Sequence, residues 1–591
     1  FLLHEVHDVM RLCQLPAFAH HDRETFDLFL ESAARLARER LFPLFKAMDE
    51  APAVLEGGRV RVHPAMDELW GHLCELGILS AGRPEAVGGA ELPSAIATMG
   101  YLYLMAGNGA AVGYALLTSG AAHLIESFGD ETLRRVFMER MYAGEWTGTM
   151  ALTEPQAGSS LGDLTTRATP VAGREGVYRI QGSKIFISGG DHDFRENVVH
   201  LVLARRVGDS PGTRGISLFV VPRRRPVGGD LEASELEDND VATSQLVHKI
   251  GWRGLPSLGL SFGEADDCLG WLLGQPGHGL SYMFQMMNEA RLLVGANAVA
   301  TASAAFHESL AYARERLQGR PLGARGGAPT PIVAHADVRR MLLRQKAIVE
   351  GGISLLIETA AHADLAAASP DAEERERARL LLDLLTPVTK TFAAERGFES
   401  TSLALQIHGG YGYSSEYLPE LWLREQRLNS IHEGTTGIQS LDLLGRKVVA
   451  SGGRPLLLLR EEIDADVAAC RALAADDELA DALVVESDRM IDLTQRLGAR
   501  GLAGEVTAML AHSVDYLTLV ANLIIGWQWL RIANAARRGL VAGKGGDDEF
   551  LRGKIEAARY WIRTELADNA RLARLCADAE PSFVEIPDGG F

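Results

Sequence analysis

The sequence predicts an α+β fold that is mostly α, with helical domains on both sides of a single β region. Long stretches dominated by alanine, leucine and arginine repeat apolar residues every three or four positions, which favours helices. Between about residues 148 and 270 the chain changes to short runs rich in β-branched residues, which favours strands. Strands and helices are therefore segregated along the chain, and this argues against a parallel sheet with alternating helices.

The first two predicted domains cover residues 1–147 and 148–270. The first is helical: FDLFLESAARLARERLFPLF has helical apolar spacing, and SAGRPEAVGGA at 80 to 90 is a loop between two helices. The second is a central β domain of barrel or sandwich type. In it VYRIQGSKIFISGG, NVVHLVLARRV and GISLFVVPRRR have the composition and punctuation of strands.

Helical periodicity returns after residue 270 and predicts two further domains. Residues 271–450 are expected to form a C-terminal four-helix bundle, and residues 451–591 an additional helical domain. In the additional domain Met490, Leu493 and Leu497 follow the spacing of a buried helix face.

Composition limits the classes of function. The chain has 591 residues, and its formal net charge of −19 disfavours sequence-independent nucleic-acid binding, which needs clustered Lys and Arg. The most apolar stretch is YLTLVANLIIGWQWLRIA, at residues 517 to 534. Because it contains the polar residues Asn522, Gln528 and Arg531, we expect a buried core helix there and no integral membrane segment.

The cysteines predict a reducing compartment. There are five, scattered and without a CxxC pair: Cys13, Cys74, Cys268, Cys470 and Cys576. This pattern argues against a disulfide framework and against a thiolate metal site, and the first residues are not typical of a signal peptide. We therefore expect a cytoplasmic protein with no metal.

The common nucleotide-binding motifs are missing, and two glycine-bearing stretches in the β region remain as candidates. No GxGxxG or GxxxxGK[ST] motif stands in a suitable context. In MALTEPQAGSSLGD (150 to 163), Gly158 would let the backbone approach a ligand, although a strand-ending turn is equally compatible. In KIFISGG (184 to 190), Phe186 and Ser188 share one strand face, which suits a planar ring, although an isolated Phe is more often a core residue.

Two further candidates lie in the helical region that follows. QIHGGYGYSSEY (406 to 417) has glycines that permit close approach to a ligand or a partner chain, and by itself it would be a turn. In IHEGTTGIQS (431 to 440), Glu433 is by itself most simply a solvated acid. On an apolar ligand face its pKa would be raised toward the operating pH of a general base.

Taken together and in this order, the four stretches resemble the signatures of the acyl-CoA dehydrogenase family of flavoproteins. RPEAVGG (83 to 89) and HKIGWRGLPSLGLSF (248 to 262) are similar to weaker landmarks of that family. The resemblance covers roughly residues 30 to 450, and the remaining residues resemble the additional helical domain of its extended members.

The resemblance implies FAD as the cofactor, an acyl-CoA thioester as the substrate and a set of cofactor-binding residues. The flavin ring would be lined from the β region, Arg316 would meet the FAD pyrophosphate, and Gln406 and Gly410 would reach the FAD of a partner subunit. The complete implied set is Leu152, Thr153, Gly158, Ser159, Phe186, Ser188, Arg316, Gln406, Gly410, Gly434 and Thr435.

The resemblance also implies that Glu433 is the catalytic base. Some members carry the base near the position of Ala290, which cannot act as one, and Glu289 would point about 100° away on the helix. Glu433 would remove the α-proton while a hydride passes from the β-carbon to flavin N5, which gives a trans-2-enoyl-CoA. The implied substrate-binding residues are Ser159, Arg291, Glu433 and Gly434.

The same resemblance implies a role in fatty-acid β-oxidation, an electron-transferring flavoprotein as acceptor and a homodimer. The chain departs from the family pattern at Ser160, where Asp is common, and at His432, where Tyr is common. Two alternatives of the same fold remain at this point: an oxidase of a small non-thioester substrate, and a nucleic-acid-associated flavoprotein. The second would need a basic face on the last domain, where residues 533–546 carry a few positive charges beside acidic stretches.

Overall fold

The protein is described by a computed structural model that covers residues 1–324, 326–473, 477–543 and 548–591. These residues form two compact units. The sheet unit comprises residues 25–92 and 100–293, and the bundle unit comprises residues 1–24, 93–99 and 294–591. Part of the basic stretch considered for nucleic acid, residues 544–546, lies outside the described residues.

The strands lie in the sheet unit, most of them in the region predicted to be β. They are β1 Val54–Glu56, β2 Arg59–Arg61, β3 Thr147–Ala151, β4 Arg167–Pro170, β5 Val177–Ser188, β6 Val198–Arg206, β7 Ile216–Pro222, β8 Arg224–Pro226, β9 Leu236–Asp238, β10 Val241–Val247, β11 Ser257–Phe262 and β12 Leu269–Leu273.

The central strands close into a small barrel-like ring. β5 pairs with β12, β12 with β7, and β7 with β6, all antiparallel. β4 completes the ring because it pairs antiparallel with β5 and parallel with β6. Outside the ring, β11 and β10 extend the sheet from β5, and β3 runs parallel to β6. The predicted barrel or sandwich type of the β domain is confirmed by this arrangement.

The helices occupy the remainder of the chain, as expected for a fold that is mostly α. They are α1 Arg23–Leu36, α2 Phe42–Glu50, α3 Met66–Glu75, α4 Ser94–Phe128, α5 Glu131–Leu133, α6 Glu139–Tyr142, α7 Gly279–Glu315, α8 Ala336–Ala368, α9 Ala372–His408, α10 Pro419–Arg427, α11 Thr436–Asp442, α12 Arg454–Leu473, α13 Glu478–Leu502, α14 Val506–Leu510, α15 Ser513–Ala542, α16 Asp548–Thr564, α17 Asn569–Asp578 and α18 Ser582–Glu585.

The core of the sheet unit joins helices to strands. The aromatic side chains of Phe137, Trp146 and Trp271 are buried together with aliphatic residues of β6 and β7. The first seven residues of β6 are buried in succession, as is every residue of β7. Such unbroken burial is typical of strands covered on both faces, so the polar alternation of a half-exposed strand is missing there.

In the bundle unit, α8 and α9 share one hydrophobic core with the helices after residue 450. Leu384 and Val388 of α9 belong to the same buried cluster as Leu459 and Ile525. The Trp529 indole N–H donates to the Ala347 carbonyl oxygen at 3.0 Å. The last helices are thus packed as part of this core, and the predicted domain boundary near residue 450 stays a prediction.

The most apolar stretch of the sequence forms α15, whose middle is buried. Among the residues that the structure describes, no helix combines the length and the apolar character needed to cross a membrane. The predicted buried face of the additional domain is also confirmed, because Met490, Leu493 and Leu497 of α13 are all buried.

Candidate active site

In the sheet unit, the predicted flavin-facing segments lie side by side. β3 ends at Ala151, and the Thr153 carbonyl oxygen then accepts a hydrogen bond from the Ile185 N–H of β5 at 2.9 Å. Leu152 and Thr153 are half-buried, whereas Gly158 and Ser159 are exposed in the loop that follows. The two motifs TEPQAGS and KIFISGG, separate in sequence, are therefore joined in the fold.

A buried ion pair fixes this junction. The Lys184 Nζ atom lies 2.9 Å from Glu154 Oε1 and also donates to the Leu152 carbonyl oxygen at 3.0 Å. The Glu154 carboxylate accepts further hydrogen bonds from the backbone N–H and hydroxyl groups of Thr165 and Thr166. Burial acts to raise the pKa of Glu154, but Lys184 and these hydrogen bonds outweigh it and lower the pKa to about 2.

Phe186 is presented to the surface by a strained backbone. The register of β5 against β11 shifts so that Ile185 and Phe186 together stand opposite one residue, which is a β-bulge. Phe186 has a φ of +61°, and 59% of its surface is exposed. A left-handed conformation is a true outlier for a bulky residue. The bulge therefore holds an aromatic ring outward, beside the half-buried Ser188, and Phe186 is not a core residue.

α7 supplies the remaining predicted residue of the sheet unit. Arg291 is buried, and its guanidinium donates to Asn288 Oδ1 at 3.2 Å. Ala290 is also buried, while the Glu289 carboxylate lies 2.9 Å from His123 Nδ1 of α4. The neighbouring acid that was considered as an alternative base therefore already has a hydrogen-bond partner.

In the bundle unit, Glu433 lies in a tightly held turn just before α11. Glu433 has a φ of +54° and Gly434 a φ of +91°. A Cβ atom on Gly434 would come within 2.6 Å of Gln439 Nε2, so this position requires glycine. Thr435 caps α11, since its hydroxyl accepts the Ile438 N–H.

Two buried side chains hold the carbonyl groups of this turn. Gln439 Nε2 donates to the Glu433 carbonyl oxygen at 3.0 Å, and Lys390 Nζ donates to the Gly434 carbonyl oxygen at 2.8 Å. Neither Lys390 nor Gln439 has exposed surface. The half-buried Glu433 thus lies in a turn whose backbone is held by two buried side chains.

Arg316 and Gly410 line one cleft of the bundle unit, with a volume of about 510 Å³. The Arg316 guanidinium lies over the Tyr411 ring at 5.5 Å, and Tyr312 and His408, which also line the cleft, stack on each other. Gly410 has open space where a side chain would stand. Gln406 is exposed on the last turn of α9 and is not among the residues that line the cleft.

The chemistry of these groups fits FAD. The Phe186 ring is exposed, Ser188 follows it two residues later, and Thr153 is joined to Ile185 by a backbone hydrogen bond. An aromatic ring and two hydroxyl groups of this kind can stack on and hydrogen-bond to a flavin ring. A guanidinium beside a glycine backbone, as at Arg316 and Gly410, matches a pyrophosphate. Within the described ranges, no group of three or more His, Cys, Asp or Glu residues could hold a metal ion.

Sequence reasoning missed the residues that support the site. Lys184, Lys390 and Gln439 are buried and donate to backbone carbonyl groups of the functional segments. Lysine is almost never fully buried without a partner, so its side chain carries no expectation of a core role. The available signal was a lysine inside a mostly apolar helical run, as in LLDLLTPVTKTFAA.

Comparison with known proteins identifies the protein family of this chain. Four family models match in succession: acyl-CoA dehydrogenase N-terminal domain at residues 23–145, middle domain at 149–264, C-terminal domain at 277–448, and an acetyl-CoA dehydrogenase C-terminal-like domain at 459–587. A 3-methylmercaptopropionyl-CoA dehydrogenase of Ruegeria pomeroyi is 38% identical over 91% of this chain and 90% of its own length.

Two further similar proteins are also acyl-CoA dehydrogenases. A butyryl-CoA dehydrogenase of Syntrophomonas wolfei is 31% identical over 100% of this chain and 98% of its own length. The crystal structure of an acyl-CoA dehydrogenase complexed with FAD from Bacillus anthracis aligns with a TM-score of 0.72. It covers 98% of this chain and 91% of that one at 21% identity, and this likeness supports the fold.

The fold and these matches define an FAD-dependent oxidoreductase. The chain belongs to the acyl-CoA dehydrogenase family, in an extended form with an extra C-terminal helical domain. The predicted family, enzyme class and cofactor are thereby confirmed. The alternatives of a small-molecule oxidase or a nucleic-acid-associated flavoprotein have no support among these relatives.

Proposed function

We propose that the enzyme oxidises an acyl-CoA thioester to the trans-2-enoyl-CoA, with Glu433 as the base that removes the α-proton. The observation that carries the assignment is the backbone of Glu433, a non-glycine residue in the left-handed region with φ +54°. Such conformations are costly and concentrate at functional sites, where the surrounding structure enforces them. Here Gln439 and Lys390 donate hydrogen bonds to the carbonyl oxygens of Glu433 and Gly434.

The chemistry assigned to the chain is proton transfer and charge stabilisation. The backbone N–H of Glu433 would donate to the thioester carbonyl oxygen, which stabilises the negative charge that develops as the α-proton leaves. The Glu433 carboxylate takes that proton. Bound FAD supplies the oxidation, since it accepts the β-hydride with its two electrons. Ser159, Arg291 and Gly434 are proposed to contact the substrate.

The cofactor-binding residues stay as predicted. For the ring of FAD we propose Leu152, Thr153, Gly158, Ser159, Phe186 and Ser188, and for the rest of the cofactor Arg316, Gln406, Gly410, Gly434 and Thr435. The presence of Arg316 and Gly410 in one cleft supports their joint role. The exposed bulge position of Phe186 supports stacking on the flavin ring.

A short acyl chain is the proposed substrate class. The Ruegeria pomeroyi and Syntrophomonas wolfei relatives are named for 3-methylmercaptopropionyl-CoA and butyryl-CoA. Both acyl groups are short, and the second relative matches this chain over its whole length. β-Oxidation of fatty acids is the pathway type that consumes such enoyl-CoA products.

We propose a homodimer that passes electrons to an electron-transferring flavoprotein. The support for a partner surface is the exposure of Tyr411 and Tyr413, at 46% and 84%, beside the Arg316 cleft.

The cysteines are all unpaired and three of them are buried, which supports a reducing, cytoplasmic location.

Anaerobic titration of the purified FAD-loaded enzyme with a panel of acyl-CoAs tests the proposed function. We expect butyryl-CoA and 3-methylmercaptopropionyl-CoA to bleach the flavin absorbance stoichiometrically, with formation of the matching enoyl-CoA. Palmitoyl-CoA should bleach it more slowly. Absence of bleaching by every thioester would contradict the function, and a preference for palmitoyl-CoA would contradict only the short-chain assignment.

A further inference from the structure

A buried lysine donates a hydrogen bond to the turn that carries Glu433. Lys390 lies in the middle of α9 with no exposed surface, and its Nζ atom donates to the Gly434 carbonyl oxygen at 2.8 Å. The lysine therefore reaches the residue next to the proposed base from within the core. A buried charge is costly unless it is paired or hydrogen-bonded, and the Gly434 carbonyl oxygen is one acceptor that satisfies it.

The other contacts of the turn act at different points. Gln439 holds the Glu433 carbonyl oxygen from α11, and the Thr436 hydroxyl donates to the Glu395 carboxylate of α9. Lys390 and Glu395 are both on α9 and five residues apart. Together with Gln439 they hold the carbonyl oxygens of Glu433 and Gly434 and the hydroxyl of Thr436.

We propose that Lys390 is a positioning residue for proton abstraction, which rests on the proposed role of Glu433. Its ammonium locks the Gly434 carbonyl group and so maintains the left-handed conformation of Glu433. Without this hydrogen bond the backbone relaxes toward φ values that a glutamate prefers. The carboxylate then moves away from the α-carbon, and a misplacement of about 1 Å is enough to cost roughly 100-fold in rate.

The first test compares Lys390→Met and Lys390→Arg in the FAD-loaded enzyme. Flavin reduction by butyryl-CoA is followed by stopped flow, with α-deuterated and β-deuterated substrate. We expect Lys390→Met to reduce the flavin roughly 100-fold more slowly, with KM changed far less than kcat. The α-deuterium isotope effect should rise, because removal of the α-proton becomes the slower event. Lys390→Arg should recover at least about tenfold of the lost rate, because arginine keeps a charged donor.

The matched control is Lys554→Met. Lys554 is another buried lysine of the bundle unit, and it pairs with Glu350 at 2.8 Å. Its loss removes a buried charge away from the Glu433 turn, so the isotope effect should stay at the wild-type value. A normal reduction rate in Lys390→Met would overturn the proposal. A slower rate with an unchanged α-deuterium effect, or the same changes in Lys554→Met, would overturn it too.

A variant without a change of charge keeps the proposal testable if Lys390→Met fails to fold. Gln439→Met removes only the neutral donor to the Glu433 carbonyl group, and it should raise the α-deuterium effect in the same direction by a smaller factor. An unchanged effect there would count against positioning by the turn.

Glu433→Gln separates the proposed base role of Glu433 from the proposed positioning role of Lys390. If that variant still reduces its flavin at the wild-type rate, the base assignment fails. If it is inactive while Lys390→Met is normal, only the role of Lys390 fails.

Discussion

Phe186 and Glu433 are the two predicted site residues that the fold holds in the left-handed backbone region without being glycine. A left-handed conformation costs an L-residue about 1–2 kcal/mol. Phe186 lies in a β-bulge. Two residues before it, Lys184 forms a buried ion pair with Glu154. Glu433 lies in a turn whose carbonyl groups accept hydrogen bonds from the buried side chains of Lys390 and Gln439.

Phe186 gives a prediction in which stability and cofactor affinity separate. In the apoprotein, Phe186→Gly should be about 1 kcal/mol more stable than Phe186→Ala, because glycine tolerates φ +61° and alanine does not. Both variants should bind FAD at least about tenfold more weakly, since the stacking ring is lost. Denaturant unfolding and FAD titration measure the two effects. Equal stability of the two variants would contradict the strained conformation, and unchanged affinity would contradict the flavin contact.

Neither strained residue could be recognised as strained from the sequence. KIFISGG predicts a regular strand, and its alternation predicts that Phe186 and Ser188 lie on one face. The bulge depends on pairing with β11, about seventy residues further along the chain. Local propensity does not contain that information. The resemblance to a family indicated which residues to examine, while their geometry required the tertiary structure.

At the scale of elements, side-chain oxygens accept hydrogen bonds from the first backbone N–H groups of two helices. α11 begins directly after the Glu433 turn with Thr435 as its cap. In the bundle unit, Asp364 of α8 accepts hydrogen bonds from the N–H groups of Ser94 and Ala95, at the start of α4. Burial raises the pKa of Asp364 to about 7, although both backbone hydrogen bonds oppose this shift.

This carboxyl group predicts a pH dependence of stability. The pKa of Asp364 is higher in the folded state than its ordinary value of 3.8, so the folded state binds the proton more tightly. The contribution to stability is complete below about pH 4 and is lost as the pH rises through about 7. Between pH 5.5 and 8 the loss should be on the order of 2 kcal/mol.

Asp364→Asn provides the comparison. The variant cannot titrate, so its free energy of unfolding should change less between pH 5.5 and 8 than that of the wild type. Denaturant unfolding at several pH values measures the difference. Parallel profiles for the two proteins would show that the Asp364 carboxyl group is not responsible.

At the scale of the whole molecule, the order of helical, β and helical regions was predictable because each region has its own periodicity. The closure of the β region was not, since β4 joins β5 and β6 through pairs that no local pattern specifies. The packing of the last helices was also hidden. Their apolar faces predict a core, but not that Leu459 and Ile525 would share one with Leu384 of α9.

The same core explains why the last helices carry buried charges. Arg531 of α15 pairs with Glu358 of α8, and His7 Nδ1 lies 3.0 Å from the same carboxylate. Burial and the nearby Arg531 lower the pKa of His7 to about 4, so this histidine is neutral at physiological pH. Arg537, in the stretch considered for nucleic acid, pairs with Asp477 and is mostly buried. Its charge is thus used inside the protein.

The role of Glu433 is tested most directly by stopped-flow reduction of the bound flavin with butyryl-CoA, in the wild type and in Glu433→Gln. The variant removes the proton acceptor and keeps the shape of the side chain, so we expect it to retain FAD and bind the thioester. Its flavin should be reduced at least about 1,000-fold more slowly, as expected for loss of a general base. Reduction of Glu433→Gln at a rate close to that of the wild type would contradict the account.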